Sequence, residues 1–169
     1  GLTTEVHPDM LPVQWGKLLL NLNNPVNALS GQPLKAQLEN GGYRKVVAAC
    51  LKEALALLKR AGIKPKRTGK AIPALLPWIM ALPDPLFRRV AQSMLRVDPK
   101  ATSSMADDLQ RGRTTEIDFI NGEVVRLAES LGRDAPVNRA VVAEIKRAEQ
   151  AGSGSPALSA SELQAKVLS

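Results

Sequence analysis

Apolar positions in this chain recur every three or four residues, and no segment shows the alternation of period two that marks a strand. The clearest helix runs from Tyr43 to about Ala61. There Val46, Val47, Cys50, Leu51, Ala54, Leu57 and Leu58 make one apolar face, and Gly62 is the stop signal. A second helix is predicted through Trp15 to about Leu29, capped by Asp9 and ended by Ser30-Gly31. Short segments follow at Pro33–Leu38, around Trp78 within Pro73–Leu82, and from Leu86 to about Arg96 after Pro83-Asp84-Pro85. Trp78 and its neighbouring methionine read as core, while Asn40-Gly41-Gly42 and Asp98-Pro99 read as breaks. From Thr102 to Arg113 a helix begins with Ser104 placed to accept the N–H of Asp107. A long helix after Thr114-Thr115 carries Ile117, Ile120, Val124, Leu127, Ala128 and Leu131 on one face. The last good helix opens at Pro136-Val137-Asn138 and reaches about Ala151.

These elements predict an all-α domain of about seven or eight helices over residues 1–151. Residues 152–169, rich in Gly and Ser at their start, read as a linker-like tail that stays disordered unless it docks. Within it Ser159 and Glu162 have the spacing to cap a short terminal helix.

One stretch departs from simple amphipathic patterning. In W-G-K-L-L-L-N-L-N-N-P-V-N-A-L-S-G, residues 15–31, Lys17, Asn21, Asn24 and Ala28 are spaced i, i+4, i+7, i+11 and share one stripe. Leucines and Val26 cover the other faces, so the helix reads as interior, where a cation and amides need partners. Such a stripe asks for a ligand, or else Lys17 snorkels to water and the asparagines bond neighbouring helices. Pro25 crowds the carbonyl of Asn21, which predicts a kink at the stripe.

Composition supports packed helices: 44% of residues are hydrophobic but only 3% aromatic. The single cysteine, Cys50, sits in an apolar run as a small core residue, which suits a reducing compartment and forbids an internal disulfide. No apolar run is long enough to span a bilayer, and the first residues lack the pattern of a signal peptide, so a soluble, cytoplasmic protein is expected. Much of the formal charge of +7 lies in Lys59–Lys70, K-R-A-G-I-K-P-K-R-T-G-K, a helix end and a loop. Without interleaved aromatics or a nucleic-acid motif it reads as a solvated basic loop.

Few chemistries remain open. C-x-x-C, H-E-x-x-H and G-x-S-x-G are absent, the one histidine is His7, and metal and triad chemistry are unsupported. No G-x-G-x-x-G follows a strand, so the chain has no dinucleotide fold of its own. What is left are polar groups on apolar helices. A partly buried Lys17 can act as general acid toward a carbonyl oxygen, Glu116 can pair with it or hold a hydroxyl, and Ser104 at a helix start can bind a carboxylate. Each also has a structural alternative: Glu116 beside a helix N-terminus, Ser104 as an N-cap.

Taken together, W-G-K-L-L-L-N…N-P…A-L at 15–29, S-S-M-A-D-D-L-Q-R-G-R-T-T-E-I-D-F-I-N-G at 103–122 and P-V-N-R-A at 136–140 resemble the C-terminal domain of ketopantoate reductase, over roughly residues 9–150. The resemblance implies a fold similar to the 6-phosphogluconate-dehydrogenase-type C-terminal domains. It further implies an N-terminal Rossmann domain, absent from this chain, that binds NADPH, and a helical half that closes over a 2-keto acid. On the family pattern Lys17 matches the lysine that protonates the carbonyl oxygen, Asn21 the asparagine one turn on, Ser104 the substrate-binding serine and Glu116 the glutamate twelve residues later. The family's second asparagine precedes its proline at the position where Pro25 stands here; Asn24 carries it over, with Asn27 as substitute. The implied activity is reduction of ketopantoate to pantoate by the complete protein, a fragment alone being inactive, and a homodimer is compatible with it. Two alternatives stay open: a reductase for another 2-keto acid, and a basic helical module that uses Lys59–Lys70 on nucleic acid or an acidic partner.

Overall fold

The computed structural model describes residues 10–69, 71–92 and 98–169, and among them all regular structure is helical. Ten α-helices are present: α1 Met10–Asn21, α2 Asn23–Ser30, α3 Leu34–Glu39, α4 Gly41–Arg60, α5 Leu76–Met80, α6 Asp84–Val90, α7 Ser104–Gln110, α8 Asn121–Ser130, α9 Pro136–Ala151 and α10 Ala160–Val167. Two 3-10 turns, Pro73–Leu75 and Ile117–Phe119, lead into α5 and α8. Beyond these there is only an isolated bridge, Thr68 with Ala71.

The helix count exceeds the expected seven or eight because one predicted helix is split into α1 and α2 and the tail adds α10; a second predicted helix, after Thr115, is broken as well. The first breaks at Leu22, three residues before Pro25, whose missing N–H and ring forbid a regular turn there. The second opens as the 3-10 turn and restarts after Ile120, whose ψ of −91° lies outside the helical region. The expected helix from Leu86 to Arg96 starts at Asp84 and ends at Val90, with residues 93–97 outside those described; Asp9, the expected first cap, and His7 lie outside them too.

The 20-residue α4 is the axis of the fold. Its whole predicted apolar face is buried, and it packs against α2, α3, α5, α8, α9 and α10. Asn40, read as part of a break, caps it by accepting the N–H of Gly42 at 2.8 Å. Cys50 is fully buried, and burial pushes its thiol far above the ordinary range. Glu53 of α4 accepts from the backbone N–H groups of Val137 and Asn138 at 2.9 and 3.0 Å, so its carboxylate caps α9 from another helix.

The all-round apolar character foreseen for residues 15–31 belongs to α2 alone. Pro25 through Ser30 are buried, and Gly31 ends the helix at φ 63°, a left-handed cap that glycine adopts without Cβ strain. In α1 only Trp15, Gly16 and Leu19 are buried, and Lys17 is exposed rather than partly buried. Trp78, expected in the core, is 73% exposed because the short α5 turns Leu76, Pro77 and Met80 inward instead.

The tail docks. Leu158 N–H donates to the carbonyl of Leu29 at 2.9 Å, and the Tyr43 hydroxyl donates to the carbonyl of Leu158 at 2.8 Å. Ser159 and Glu162 form a reciprocal capping box, and α10 buries Leu163 and Val167 against α4 and α9. The Gly/Ser bias that read as a linker is confined to a short bend with enough apolar residues beyond it to offset the cost of ordering.

Candidate active site

Between α1 and the turn at residues 116–120 lies a cleft of about 360 Å³. From α1, Gln14, Lys17, Leu18 and Asn21 line it, spaced three and four apart and therefore on one face. Glu116, Phe119 and Ile120 form the opposite wall, and Trp15 closes its inner side. The cleft so brings an ammonium, two amides and two carboxylates together over an apolar lining, the second carboxylate being Glu123, which is paired with Arg126. Among the described residues the side chains of Lys17, Asn21 and Glu116 take no hydrogen-bond or ion-pair partner, which leaves their polar atoms available to a ligand.

Each wall is held from behind. The loop bearing Glu116 is fastened to α9 on both sides of that residue. Thr115 N–H donates to Glu149 Oε1 at 2.7 Å, and the Lys146 ammonium meets Asp118 Oδ2 at 2.6 Å. That bond to Asp118 also holds the Lys146 ammonium above its ordinary pKa. Helix α1 is seated on the basic loop. A Cβ at Gly16 would lie 2.1 Å from the carbonyl oxygen of Lys66, and Lys66 N–H donates to the carbonyl of Pro12 at 2.8 Å. The loop read as simply solvated is thus the backbone support of the helix that carries Lys17.

The structure does not bring every predicted residue to this cleft. Asn24 lines a second, smaller cavity of about 180 Å³ with Asn23, Leu38 and Met80. Ser104 is the first residue of α7 and exposed, and it does not cap: Ser103 does, accepting the N–H of Ala106 at 3.2 Å. Two adjacent serines left the cap ambiguous, and the extended backbone of Ser103 at φ −76°, ψ 156° decides it. Asn27 is fully buried with its amide engaged at both ends, to the carbonyl of Gln32 and from the N–H of Ser103, so it is a structural residue. Gly16 and Ser103 escaped the sequence reading; the one available signal was a glycine directly before Lys17 and a serine directly before Ser104.

The family described as ketopantoate reductase PanE/ApbA C terminal matches residues 9–149. This chain belongs to that family. As a ketopantoate reductase C-terminal domain it is similar to the 2-dehydropantoate 2-reductase of Pyrococcus horikoshii, 28% identical over 156 residues that make 92% of this chain and 46% of that protein. It is also similar to that of Vibrio cholerae, 31% identical over 148 residues, 87% of this chain and 44% of that protein. A PanE/ApbA family ketopantoate reductase from Ralstonia eutropha superimposes with a TM-score of 0.61 at 29% identity, over 82% of this chain and 41% of that one. The dimeric ketopantoate reductase of Staphylococcus aureus shares the fold, with a TM-score of 0.58 at 19% identity, over 82% of this chain and 43% of that one. The chain spans less than half the length of these relatives, and its all-α architecture is that of the ketopantoate reductase C-terminal family. Among the described residues no helix is long and apolar enough to cross a membrane.

Proposed function

We propose that this chain is the substrate-binding half of an NADPH-dependent 2-dehydropantoate 2-reductase, which reduces ketopantoate to pantoate on the way to pantothenate and coenzyme A. The observation that carries the reading is the meeting of Lys17, Asn21 and Glu116 in one cleft of a chain of this family. The described residues contain no strand, hence no strand–glycine loop–helix cradle, and so do not themselves fit a dinucleotide. A Rossmann domain of the same protein carries it.

Reduction of a ketone needs a proton as well as a hydride, and the residues here serve the proton. As the C2 carbonyl accepts the hydride, negative charge grows on its oxygen. The Lys17 ammonium stabilises that charge and then donates the proton, leaving the secondary alcohol. Asn21, one turn along α1, directs its amide to the same substrate, and Glu116 on the facing wall orients the ammonium and accepts from the substrate hydroxyl. Ser104, the match to the family's substrate-binding serine, helps hold the carboxylate at the other end, whereas Asn24 lines a separate cavity. In this chain the cleft is open and Phe119 is 75% exposed at its wall. Closure by the nucleotide domain over that apolar rim excludes water and strengthens each of these interactions.

The test is oxidation of NADPH by the full-length protein that contains this chain, with ketopantoate and a panel of other 2-keto acids, beside Lys17→Ala. Turnover selective for ketopantoate, reduced about 10²- to 10⁴-fold in the variant with its helical circular dichroism intact, is the expected result. Near-normal turnover in Lys17→Ala removes the lysine from the mechanism. A folded wild type that oxidises NADPH with none of the keto acids removes the reading itself.

A further inference from the structure

Glu116 shares the cleft with Lys17, but no helix dictates where its carboxylate goes. Its φ of −83° and ψ of 19° lie in the sparsely populated bridge region, just ahead of the 3-10 turn Ile117–Phe119. The direction of its side chain therefore follows from how the flanking backbone is held, and α9 holds it on both sides. Before Glu116, Thr115 N–H donates to Glu149 Oε1 at 2.7 Å. After it, the Lys146 ammonium donates to Asp118 Oδ2 at 2.6 Å. Lys146 Nζ also lies 3.4 Å from Glu149 Oε2, the two residues standing one turn apart on one face of α9. The chain of contacts Thr115, Glu149, Lys146, Asp118 is thus a charged latch that spans Glu116 and leaves its carboxylate unengaged.

The turn does not need this latch to stay folded. Ile117 and Ile120 are buried, and the Asn121 amide donates to Asn138 Oδ1 at 3.0 Å, which already seats the start of α8 on α9. An ion pair whose side chains are 34% and 50% exposed adds little to stability. Directional bonds do supply orientation, which apolar anchors leave loose in a short turn. Glu149, only 14% exposed, is the costly member, because a carboxylate withdrawn from water needs partners; both of its oxygens have one.

We propose that Lys146 and Glu149 are positioning residues: from α9 they set the backbone of the Glu116 turn and so aim the Glu116 carboxylate at Lys17 and the substrate hydroxyl, without touching substrate. This rests on the reading of Glu116 given above. It predicts that loss of the latch lowers turnover only through Glu116.

The test is a mutant cycle in the full-length protein, read by NADPH oxidation with ketopantoate and by thermal unfolding. Lys146→Met keeps the length of the stem and removes the ammonium; kcat/KM should fall about 10- to 100-fold, as small misplacement of an orienting group does. Lys146→Arg, which keeps the cation, should restore most of it. Asp118→Asn weakens the same pair from the side of the turn and should lower kcat/KM in the same direction. In a Glu116→Ala background, adding Lys146→Met should change kcat/KM less than about twofold, because the latch then has nothing left to aim. Unchanged kcat/KM in Lys146→Met, whatever its Tm, overturns the proposal and leaves the latch a stability element. A loss that multiplies in full with that of Glu116→Ala overturns it as well, since Lys146 would then act by another route. Failure of the underlying reading shows separately, in a Glu116→Ala variant that turns over like wild type, and the proposal falls with it.

Discussion

Arg44 is the most demanding side chain in the fold, and its replacement is worth working through. Only 1% of its side chain is exposed, yet it carries a full charge. Its guanidinium donates to the carbonyls of Leu38 at 2.8 Å, Met80 at 3.2 Å and Leu82 at 2.7 Å, and to Asp84 Oδ1 at 2.7 Å. It also lies 4.1 Å from the ring centroid of Phe87. One planar fork thus joins the end of α3, α4, the end of α5 and the start of α6, a task the three donors of a lysine on one nitrogen cannot do. Arg44→Met keeps the length and apolar stem but strands three backbone carbonyls. A buried acceptor left unsatisfied costs about 1–3 kcal/mol, and removing a charge from the interior recovers part of the sum, so a net loss of about 2–4 kcal/mol is expected. Asp84, whose side chain is 48% exposed, can be rehydrated, and Asp84→Asn should cost far less than Arg44→Met. Urea titrations followed by circular dichroism measure both, and the midpoint should fall with little change in slope. If Arg44→Met matches wild type in stability, the desolvation of the guanidinium offsets its bonds and the reasoning is refuted.

Leu163→Ala, in the fully buried face of α10, should destabilise by about 2–5 kcal/mol in the same titration, whereas a tail resting loosely on the domain would give under about 1 kcal/mol. Gly16→Ala forces a Cβ against the carbonyl of Lys66; it should cost about 1–3 kcal/mol and, by displacing the turn that bears Lys17, lower turnover in the full-length protein, and an unchanged urea midpoint would contradict the close approach. Asp84, Asp134 and Glu162 are held below the usual carboxylate range by hydrogen bonds from Arg44, Arg139 and Ser159 respectively. Because these pKa values are lowered by folding, the stability they add is present above the unfolded values near pH 4 and is lost as pH falls through the folded ones. The urea midpoint should therefore drop on acidification below about pH 4, and a flat profile there would count against these pairings.

Sequence periodicity was most informative where a helix buries one face along its whole length. The stripe at Lys17 and Asn21 was legible because a residue's face on a helix follows from spacing alone. Glu116 can be offered as a partner of Lys17 on its chemistry, but nothing local says that a turn ninety-nine residues away faces α1. The break at Leu22 separates α2 from α1, so the stripe does not run on through both helices: Asn24 lines a different cavity and the amide of Asn27 is engaged in hydrogen bonds. Either serine satisfies the capping pattern, so the sequence does not choose between Ser103 and Ser104.

What the sequence determined by itself is the all-α class, the extent of α4 and α9, the stops at Gly31 and Gly62, and the face of α1 that bears Lys17. All of these depend on dihedral preference and on the 3.6-residue repeat, which act within a few residues. The tertiary structure alone decided that the helix after Thr115 breaks at Ile120, that Glu53 caps α9, that the basic loop supports Gly16, that Trp78 turns outward and that the tail docks. Those outcomes depend on partners far along the chain. Their free energies come from packing and from satisfying buried polar groups, quantities that exist only once distant segments have met.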